Sequence, residues 1–287
     1  VIIRPPSEAQ SLLLPVTLGC SHNRCTFCNT YKGIRFKIRS AEDIKGDIDS
    51  IASNFGWSVR RVFLENGDAL ACRQGMLVEI MAYLNKRFPN IERVGTYASP
   101  QNILSKSVDD LKTLKELKLG TIYLGVETGD EELLRRIEKG VTASQMVEAG
   151  RRARVAGIAL SVTIILGLAG SQEGRQHALE TAKVLTEIDP DFCGALTLML
   201  EPGAPLYSEW QRGQFILASP FQCLDELRQI IAHSKFTNCF FTSNHASNYL
   251  PLRLRLPQQK DEALRFLDKV IGTKDHRTLT PEYLRAL

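Results

Sequence analysis

The chain has 287 residues, 44% of them hydrophobic and 24% charged, with a formal net charge of +4. These values fit one large α/β domain or two small ones, and a charge this small does not argue for nucleic acid. No apolar run approaches the length of a membrane span, no cleavable signal pattern opens the chain, and seven cysteines, an odd number, argue against a secreted disulfide framework. The sequence therefore predicts a cytoplasmic protein without a membrane partner.

In chain order, Leu12-Leu13-Leu14-Pro15-Val16 reads as a short buried strand. It delivers a polar, Gly-led loop, Gly19 to Tyr31, in which Cys20, Cys25 and Cys28 are spaced C-x4-C-x2-C. Ser40 to Phe55 carries Ile44, Ile48, Ile51 and Phe55 at helical spacing, with Ser40 as N-cap and Asp43 at the third helical position. Arg61 to Glu65 reads as a strand, and Leu77, Ile80, Met81, Leu84 and Phe88 form a helical stripe closed by Pro89. Arg93 to Ala98 is strand-like, and Val108, Leu111, Leu114 and Leu117 line a helix that Gly120 is expected to end. Strands are predicted at Thr121 to Val126, Ala159 to Leu166 and Cys193 to Met199. Helices are predicted at Glu131 to Arg136, Thr142 to Ala156 and around Ala178 to Ile188.

Six β/α units in series imply a mostly parallel sheet. Polar or Gly-rich residues follow each strand: the cysteine loop, Asn66-Gly67-Asp68, Ser99-Pro100, Glu127-Thr128-Gly129, Gly167-Leu168-Ala169-Gly170 and Glu201-Pro202-Gly203. All fall at the C-terminal ends of strands, where α/β barrels keep their chemistry, so the fold class is α/β, a partial (β/α)6 TIM-type barrel with a C-terminal extension. Residues 1–206 are expected to form the barrel core and 207–287 the extension. No G-x-G-x-x-G or G-x-x-x-x-G-K-[ST] follows any strand, which removes the main support for dinucleotide and P-loop readings.

Three thiols on one loop suggest a metal site more readily than a disulfide framework. Three thiolates with no evident fourth ligand suit an iron–sulfur cluster with one open iron. The alternatives are structural zinc, with His22 completing a Cys3His set, or buried thiols of no chemical role. Zinc fingers usually take ligands as two separated pairs, and the neighbours Ser21, His22, Asn23, Arg24 and Asn29 are too polar for a buried cluster of thiols.

The triplet ending Cys-x-aromatic-Cys, placed after a first strand, resembles the radical S-adenosylmethionine (SAM) enzymes, although their usual spacing is C-x3-C-x2-C. The resemblance implies that Cys20, Cys25 and Cys28 bind a [4Fe–4S] cluster whose open iron chelates SAM. Reductive cleavage would then give a 5′-deoxyadenosyl radical that abstracts hydrogen from a substrate. It also places Phe27 against the adenine and assigns Asp68 to the SAM ammonium. The segment Leu124 to Asp130 is similar to one in oxygen-independent coproporphyrinogen oxidases and tRNA methylthiotransferases, which implies a ribose contact for Glu127. Lys139 stands where those enzymes carry an arginine toward the SAM carboxylate. Ile164 to Gly170 resembles the adenine-covering segment, with Gly167 and Leu168 in contact and Thr163 facing inward beside it. Glu201 to Leu206 matches a Glu-Pro-Gly-Thr-Pro segment of the same group.

Beyond Leu206 the resemblance weakens. Phe221 to His233 reads as a helix, Phe236 to Phe241 as a strand, and Leu264, Leu267, Val270 and Ile271 as a C-terminal helix packed on the barrel. Between them, Asn244 to Tyr249 is dense in uncharged hydrogen-bonding groups, and His245 or Tyr249 is expected to serve as a proton donor to a small-molecule or cofactor-type substrate. The resemblance implies a reducing partner such as flavodoxin or ferredoxin, and no nucleic acid is expected. The alternative from another class is a non-catalytic zinc-binding or RNA-interaction protein.

Overall fold

The computed structural model describes residues 4–286. They form two compact units, one made of the residues up to Asn23 with Thr30–Leu124 and Ala149–Leu160, the other of Arg24–Asn29, Gly125–Glu148 and the residues from Ser161 on. The first unit opens with β1 (Leu12–Pro15), β2 (Thr17–Leu18), β3 (Lys37–Ile38), α1 (Ala41–Phe55) and β4 (Arg61–Glu65). It continues with α2 (Gln74–Arg87), β5 (Arg93–Ala98), α3 (Pro100–Leu104), α4 (Val108–Glu116) and most of β6 (Leu119–Glu127). Then come α5 (Glu131–Arg136), α6 (Ala143–Val155), β7 (Ala159–Leu166), α7 (Gly174–Ile188), β8 (Phe192–Thr197) and α8 (Pro205–Gln211). The chain closes with α9 (Pro220–His233), β9 (Cys239–Thr242), β10 (Arg253–Leu256) and α10 (Lys260–Thr273).

Eight strands form one sheet in the order β1-β4-β5-β6-β7-β8-β9-β10, and β2 and β3 make a separate antiparallel pair. The pairs β1 with β4, β4 with β5, β5 with β6, β7 with β8 and β8 with β9 are parallel, and β10 turns back antiparallel on β9. Among the described residues the sheet is not closed, as a partial barrel requires.

The local chemistry explains the element boundaries. The Ser40 hydroxyl accepts the Asp43 N–H at 3.1 Å and starts α1 as expected. Ser107 and Asp110 form a reciprocal capping box on α4, and Ser219 and Gln222 do the same on α9. The helix α4 is not ended by Gly120. It stops at Glu116, Lys118 takes the left-handed conformation at φ +74°, and Gly120 lies inside β6. There a Cβ would come within 2.5 Å of Arg93 Cγ, so close strand packing is what needs this glycine.

Strand alternation sorts the first unit into two faces. Val62, Leu64, Val94, Ile122 and Leu124 are buried aliphatics on one face. On the other, Phe63, Tyr97 and Tyr123 meet edge to face, with ring centroids 5.1 to 6.0 Å apart. At the start of these strands the buried Glu8 carboxylate accepts from Arg93 and from the Tyr123 hydroxyl, each at 2.6 Å. In the second unit, α7 and α9 pack together and α10 packs on α9, so the C-terminal helix is covered by another helix as well as by β10. The strand expected at Phe236 to Phe241 runs from Cys239 to Thr242, and β10 was not foreseen.

Candidate functional site

In the first unit the cysteine loop starts at Gly19, at φ +75°, directly after β2. Asn23, also left-handed at φ +47°, folds the chain back so that its N–H lies 3.4 Å from Cys20 Sγ. Its amide donates to the Tyr31 carbonyl at 2.8 Å, and Lys32 donates to the Asn23 carbonyl at 2.8 Å. The turn after β4 packs onto the same segment. A Cβ on Gly67, at φ +96°, would lie 2.2 Å from the Gly19 carbonyl oxygen and 3.4 Å from Cys20 Cα. Only glycine permits that approach.

Asp68 follows in this turn and is 1% exposed. Its Oδ2 accepts from Ser21 at 2.6 Å and from the Asn102 amide, while the Ser99 N–H lies 3.5 Å from Oδ1. Burial pushes its carboxyl pKa up, and the hydrogen bonds from Ser21, Ser99 and Asn102 oppose that rise. Ser21 and Asn102 were not singled out from the sequence, because their partner lies 47 and 34 residues away. Glu65, the last residue of β4, was also missed. It is buried, its Oε1 has no hydrogen-bond partner, and burial raises its pKa.

In the second unit the segment carrying Cys25 and Cys28 is pinned by its backbone. Thr26 N–H donates to Ile137 O at 3.0 Å, and Leu206 N–H donates to Thr26 O at 2.9 Å. The Asn29 amide donates to Pro202 O at 2.8 Å, and a Cβ on Gly203 would come within 2.9 Å of Asn29. The expected Glu201 to Leu206 segment is thus what holds this piece of loop. Phe27 packs against a buried cluster that includes Ile137, Ile165, Leu168 and Leu206.

Glu127 closes β6 in the left-handed conformation at φ +64°, a costly geometry for a non-glycine residue. Its carboxylate accepts from Lys139 Nζ at 2.8 Å, and both side chains are 11% exposed. Gly167 begins the turn after β7 at φ +76°, Leu168 is buried, and Thr163 is half-buried on the face opposite Val162 and Ile164.

The loop after β9 lies at the C-terminal end of β8. Thr197 N–H donates to Ser247 Oγ at 3.2 Å, and the Thr197 hydroxyl donates to Asn248 Oδ1 at 2.9 Å. The Asn248 amide donates to Ala195 O at 2.8 Å, so this side chain is committed to the strand. The Tyr249 hydroxyl donates to Glu282 at 2.9 Å and accepts from Arg285 at 2.5 Å, and it serves as the anchor for the C-terminal tail. His245 Nδ1 accepts the Ser247 N–H at 3.1 Å, and burial lowers its pKa.

The donor set suits a cluster. Cys20, Cys25 and Cys28 are part-exposed, whereas Cys72, Cys193, Cys223 and Cys239 are buried. Burial pushes the Cys72 thiol up to about 11 and raises those of Cys193 and Cys223, which disfavours the thiolate a metal needs. Among the described residues no three His, Cys, Asp or Glu side chains gather around one metal-sized point. A groove of about 540 Å³ lined by Ser11, Leu12, Arg60, Arg61 and Glu92 sits at the opposite, N-terminal ends of β1 and β4. That end of a β/α barrel serves stability. No helix among the described residues is long and apolar enough to cross a membrane.

Comparison with known proteins gives the family and the fold. Residues 14–182 match the family model described as the Radical SAM superfamily. The chain is 24% identical over 172 residues to the heme chaperone HemW of Bacillus subtilis (strain 168), a match covering 59% of this chain and 45% of the relative. It is 25% identical over 215 residues to the tRNA-2-methylthio-N(6)-dimethylallyladenosine synthase of Bordetella avium (strain 197N), covering 70% and 44%. Among solved structures, coproporphyrinogen III oxidase (HemN) from Escherichia coli, a radical SAM enzyme, aligns with a TM-score of 0.59 at 19% identity, covering 77% of this chain and 51% of that one. TsrM from Kitasatospora setae, a radical SAM methyltransferase with cobalamin and a [4Fe-4S] cluster bound, aligns with a TM-score of 0.57 at 19% identity, covering 68% and 38%. The chain spans less than half the length of these curated relatives, and the likeness to the solved structures shows the fold. The family match takes in more than half of the sequence, from β1 to α7, so the chain belongs to the Radical SAM superfamily, enzymes that use a [4Fe–4S] cluster and SAM.

Proposed function

We propose that this chain cleaves SAM reductively and uses the product radical to abstract hydrogen from a small-molecule or cofactor-type substrate, with electrons from a flavodoxin- or ferredoxin-like partner. Cys20, Cys25 and Cys28 would hold the cluster, which when bound supplies the one-electron reduction that cleaves SAM to methionine and a 5′-deoxyadenosyl radical. The remaining work belongs to the protein's own residues. Asp68, fixed by Ser21 and Asn102, offers a carboxylate to the SAM ammonium. Glu127 faces the ribose, and Lys139 supplies a positive charge toward the carboxylate of SAM. Phe27, Gly167 and Leu168, with Thr163 beside them, give the adenine an apolar bed. His245 carries its proton on Nε2, because Nδ1 accepts the Ser247 N–H, and Nε2 is the atom from which it would donate to substrate.

The observation that carries this reading is the contrast between three part-exposed cysteines in C-x4-C-x2-C spacing and four buried ones. The curated relatives are named a heme chaperone and a tRNA-2-methylthio-N(6)-dimethylallyladenosine synthase, so the substrate assay should include RNA beside small molecules. The test is anaerobic reconstitution followed by iron and sulfide analysis, dithionite reduction and assay of 5′-deoxyadenosine. About four irons with equimolar sulfide per chain and SAM-dependent 5′-deoxyadenosine support the proposal. One zinc, no iron and no SAM cleavage would overturn it in favour of a zinc-binding protein.

A further inference from the structure

Two buried residues of the second unit have no part in the chemistry described so far, yet they hold the turns assigned to SAM. Glu226, on α9, is 2% exposed, and its Oε2 accepts the N–H of Gly167 at 2.6 Å. Gly167 is left-handed at φ +76°, so this bond fixes the first residue of the turn after β7. The other oxygen, Oε1, is buried without a hydrogen-bond partner. The first residue of α7 makes room for it, since a Cβ on Gly174 would lie 2.4 Å from Oε1.

His177, on α7, is 1% exposed and holds the neighbouring turn. Its Nε2 lies 3.2 Å from the Ile165 carbonyl, which can only accept, so Nε2 carries the hydrogen. Nδ1 is then the acceptor and takes the Thr128 hydroxyl hydrogen at 2.8 Å. Thr128 Oγ1 in turn accepts the Asp130 N–H at 3.0 Å, and Thr181 Oγ1 accepts the Gly129 N–H at 2.9 Å. His177 Nε2 also lies 3.8 Å from Glu226 Oε2, beyond hydrogen-bond range, and its one proton is already engaged with Ile165. The pair therefore faces as a neutral imidazole beside a carboxyl group.

We propose, resting on the assignment of these turns to SAM, that Glu226 and His177 are positioning residues that fix the turns after β6 and β7 together, so that SAM binding depends on Glu226 staying uncharged. Burial favours the neutral acid and outweighs the Gly167 N–H, which favours the charged form. The titratable groups near the pair are Asp130, Asp225 and Cys223, none of them cationic. Burial pushes Glu226 up to about 8 and His177 down to about 4. Ionisation would leave a carboxylate whose Oε1 meets no donor. Its relief is to turn toward water, and that breaks the bond to Gly167 and frees the turn.

The experiment measures SAM binding to the reconstituted, cluster-bearing protein by anaerobic calorimetry across neutral to alkaline pH. Wild type should bind with constant affinity at neutral pH and lose about tenfold above the Glu226 pKa, the scale of one hydrogen bond. Glu226→Gln keeps an acceptor oxygen for Gly167 and cannot ionise, so its affinity should be flat across the range. Glu226→Ala should bind about tenfold more weakly at every pH with its cluster absorbance unchanged. An infrared band of a protonated carboxyl group, present at neutral pH in the cluster-free wild type and missing in Glu226→Gln, checks the same state without any cofactor. A Glu226→Gln profile that falls with pH as wild type does, or a band unchanged in Glu226→Gln, overturns the proposal. Wild type that binds no SAM at any pH overturns the cofactor assignment itself, and this proposal with it.

Discussion

Lys139 Nζ donates to the Glu127 carboxylate at 2.8 Å, so two residues expected to face different parts of SAM are paired with each other. A buried pair of this kind gains stability only while both partners remain, because removing one leaves an uncompensated charge. Gly125 makes the pairing possible, since a Cβ there would lie 2.1 Å from Glu127 Oε1 and 3.1 Å from Lys139 Nζ. Lys139→Met and Glu127→Gln should each destabilise the protein, and the double variant should recover part of the loss, with a coupling of about 0.5–3 kcal/mol in urea unfolding. Additive effects of the two changes would mean that the pair does not act as a unit. Gly125→Ala should weaken SAM binding by displacing the Glu127 carboxylate, with the cluster retained.

The cysteines give a second prediction. Replacing Cys20, Cys25 or Cys28 by Ala should abolish the cluster absorbance and the bound iron after reconstitution. The same change at Cys72, Cys193, Cys223 or Cys239 should leave both intact, because those thiols are buried. Gly67→Ala should lower cluster content as well, because its Cβ would press on the backbone of Gly19 and Cys20. A cluster lost in Cys193→Ala and kept in Cys25→Ala would contradict the ligand set.

Much of this was legible in the chain before folding. Strands at Arg61–Glu65, Arg93–Ala98 and Ala159–Leu166 have the boundaries read from sequence, because buried parallel strands are nearly continuous apolar runs ended by polar turns. The strand β10 was not legible. Its Arg253-Leu254-Arg255-Leu256 lies between Pro251 and Pro257 and is half charged, and only the partner β9 makes it a strand. The candidate site divides in the same way. Cysteine spacing and the turns holding Asp68 and Glu127 are local patterns, visible in a few residues. The bonds that hold them, Asn102 to Asp68 across 34 residues and Gly167 to Glu226 across 59, arise from tertiary packing and leave no local trace.

Asp68 carries a third prediction. Asp68→Ala should leave the cluster in place and weaken SAM binding by about tenfold to a hundredfold, the loss of one charge-assisted hydrogen bond of roughly 1.5–3 kcal/mol. Ser21→Ala should have a smaller effect in the same direction, because Asn102 still holds the carboxylate. Unchanged affinity in Asp68→Ala would mean that the ammonium is held elsewhere and that Asp68 only ties Ser21 to Asn102.

Stability should depend on pH at both ends of the range. His177 is lowered from 6.5 to about 4, so it binds a proton more readily unfolded than folded. Its contribution is full above pH 6.5 and is lost as the pH falls through about 4. Glu226 is raised from 4.5 to about 8, so its contribution is full below pH 4.5 and is lost as the pH rises through about 8. Melting temperature against pH should therefore decline between about pH 4.5 and about pH 8 in wild type and decline less in Glu226→Gln. Parallel curves for the two proteins would show that Glu226 does not titrate in that window.

The last prediction concerns the strap formed by the C-terminal tail. Arg285 is 8% exposed, and its guanidinium donates to Ser247 O at 2.6 Å, Leu198 O at 3.1 Å, the Tyr249 hydroxyl at 2.5 Å and Glu282 at 2.5 Å. Its plane lies 4.0 Å from the Tyr249 ring centroid, and Thr280 and Ala286 N–H groups donate to Tyr249 O and Ala246 O. One side chain therefore ties the tail, the loop after β9 and the residue following β8. Arg285→Ala would leave the Leu198 and Ser247 carbonyls without these donors, at a cost of about 1–3 kcal/mol in urea unfolding. It should also raise hydrogen exchange across residues 245–250 while exchange in β4 and β5 stays unchanged. Arg285→Lys should recover little, because an ammonium cannot fork between separate carbonyls or stack on the tyrosine ring. If Arg285→Ala keeps full stability and unchanged exchange at residues 245–250, the loop holds its shape without the tail. His245 would then be positioned by the bonds of its ring and carbonyl to Ser247 and Asn248.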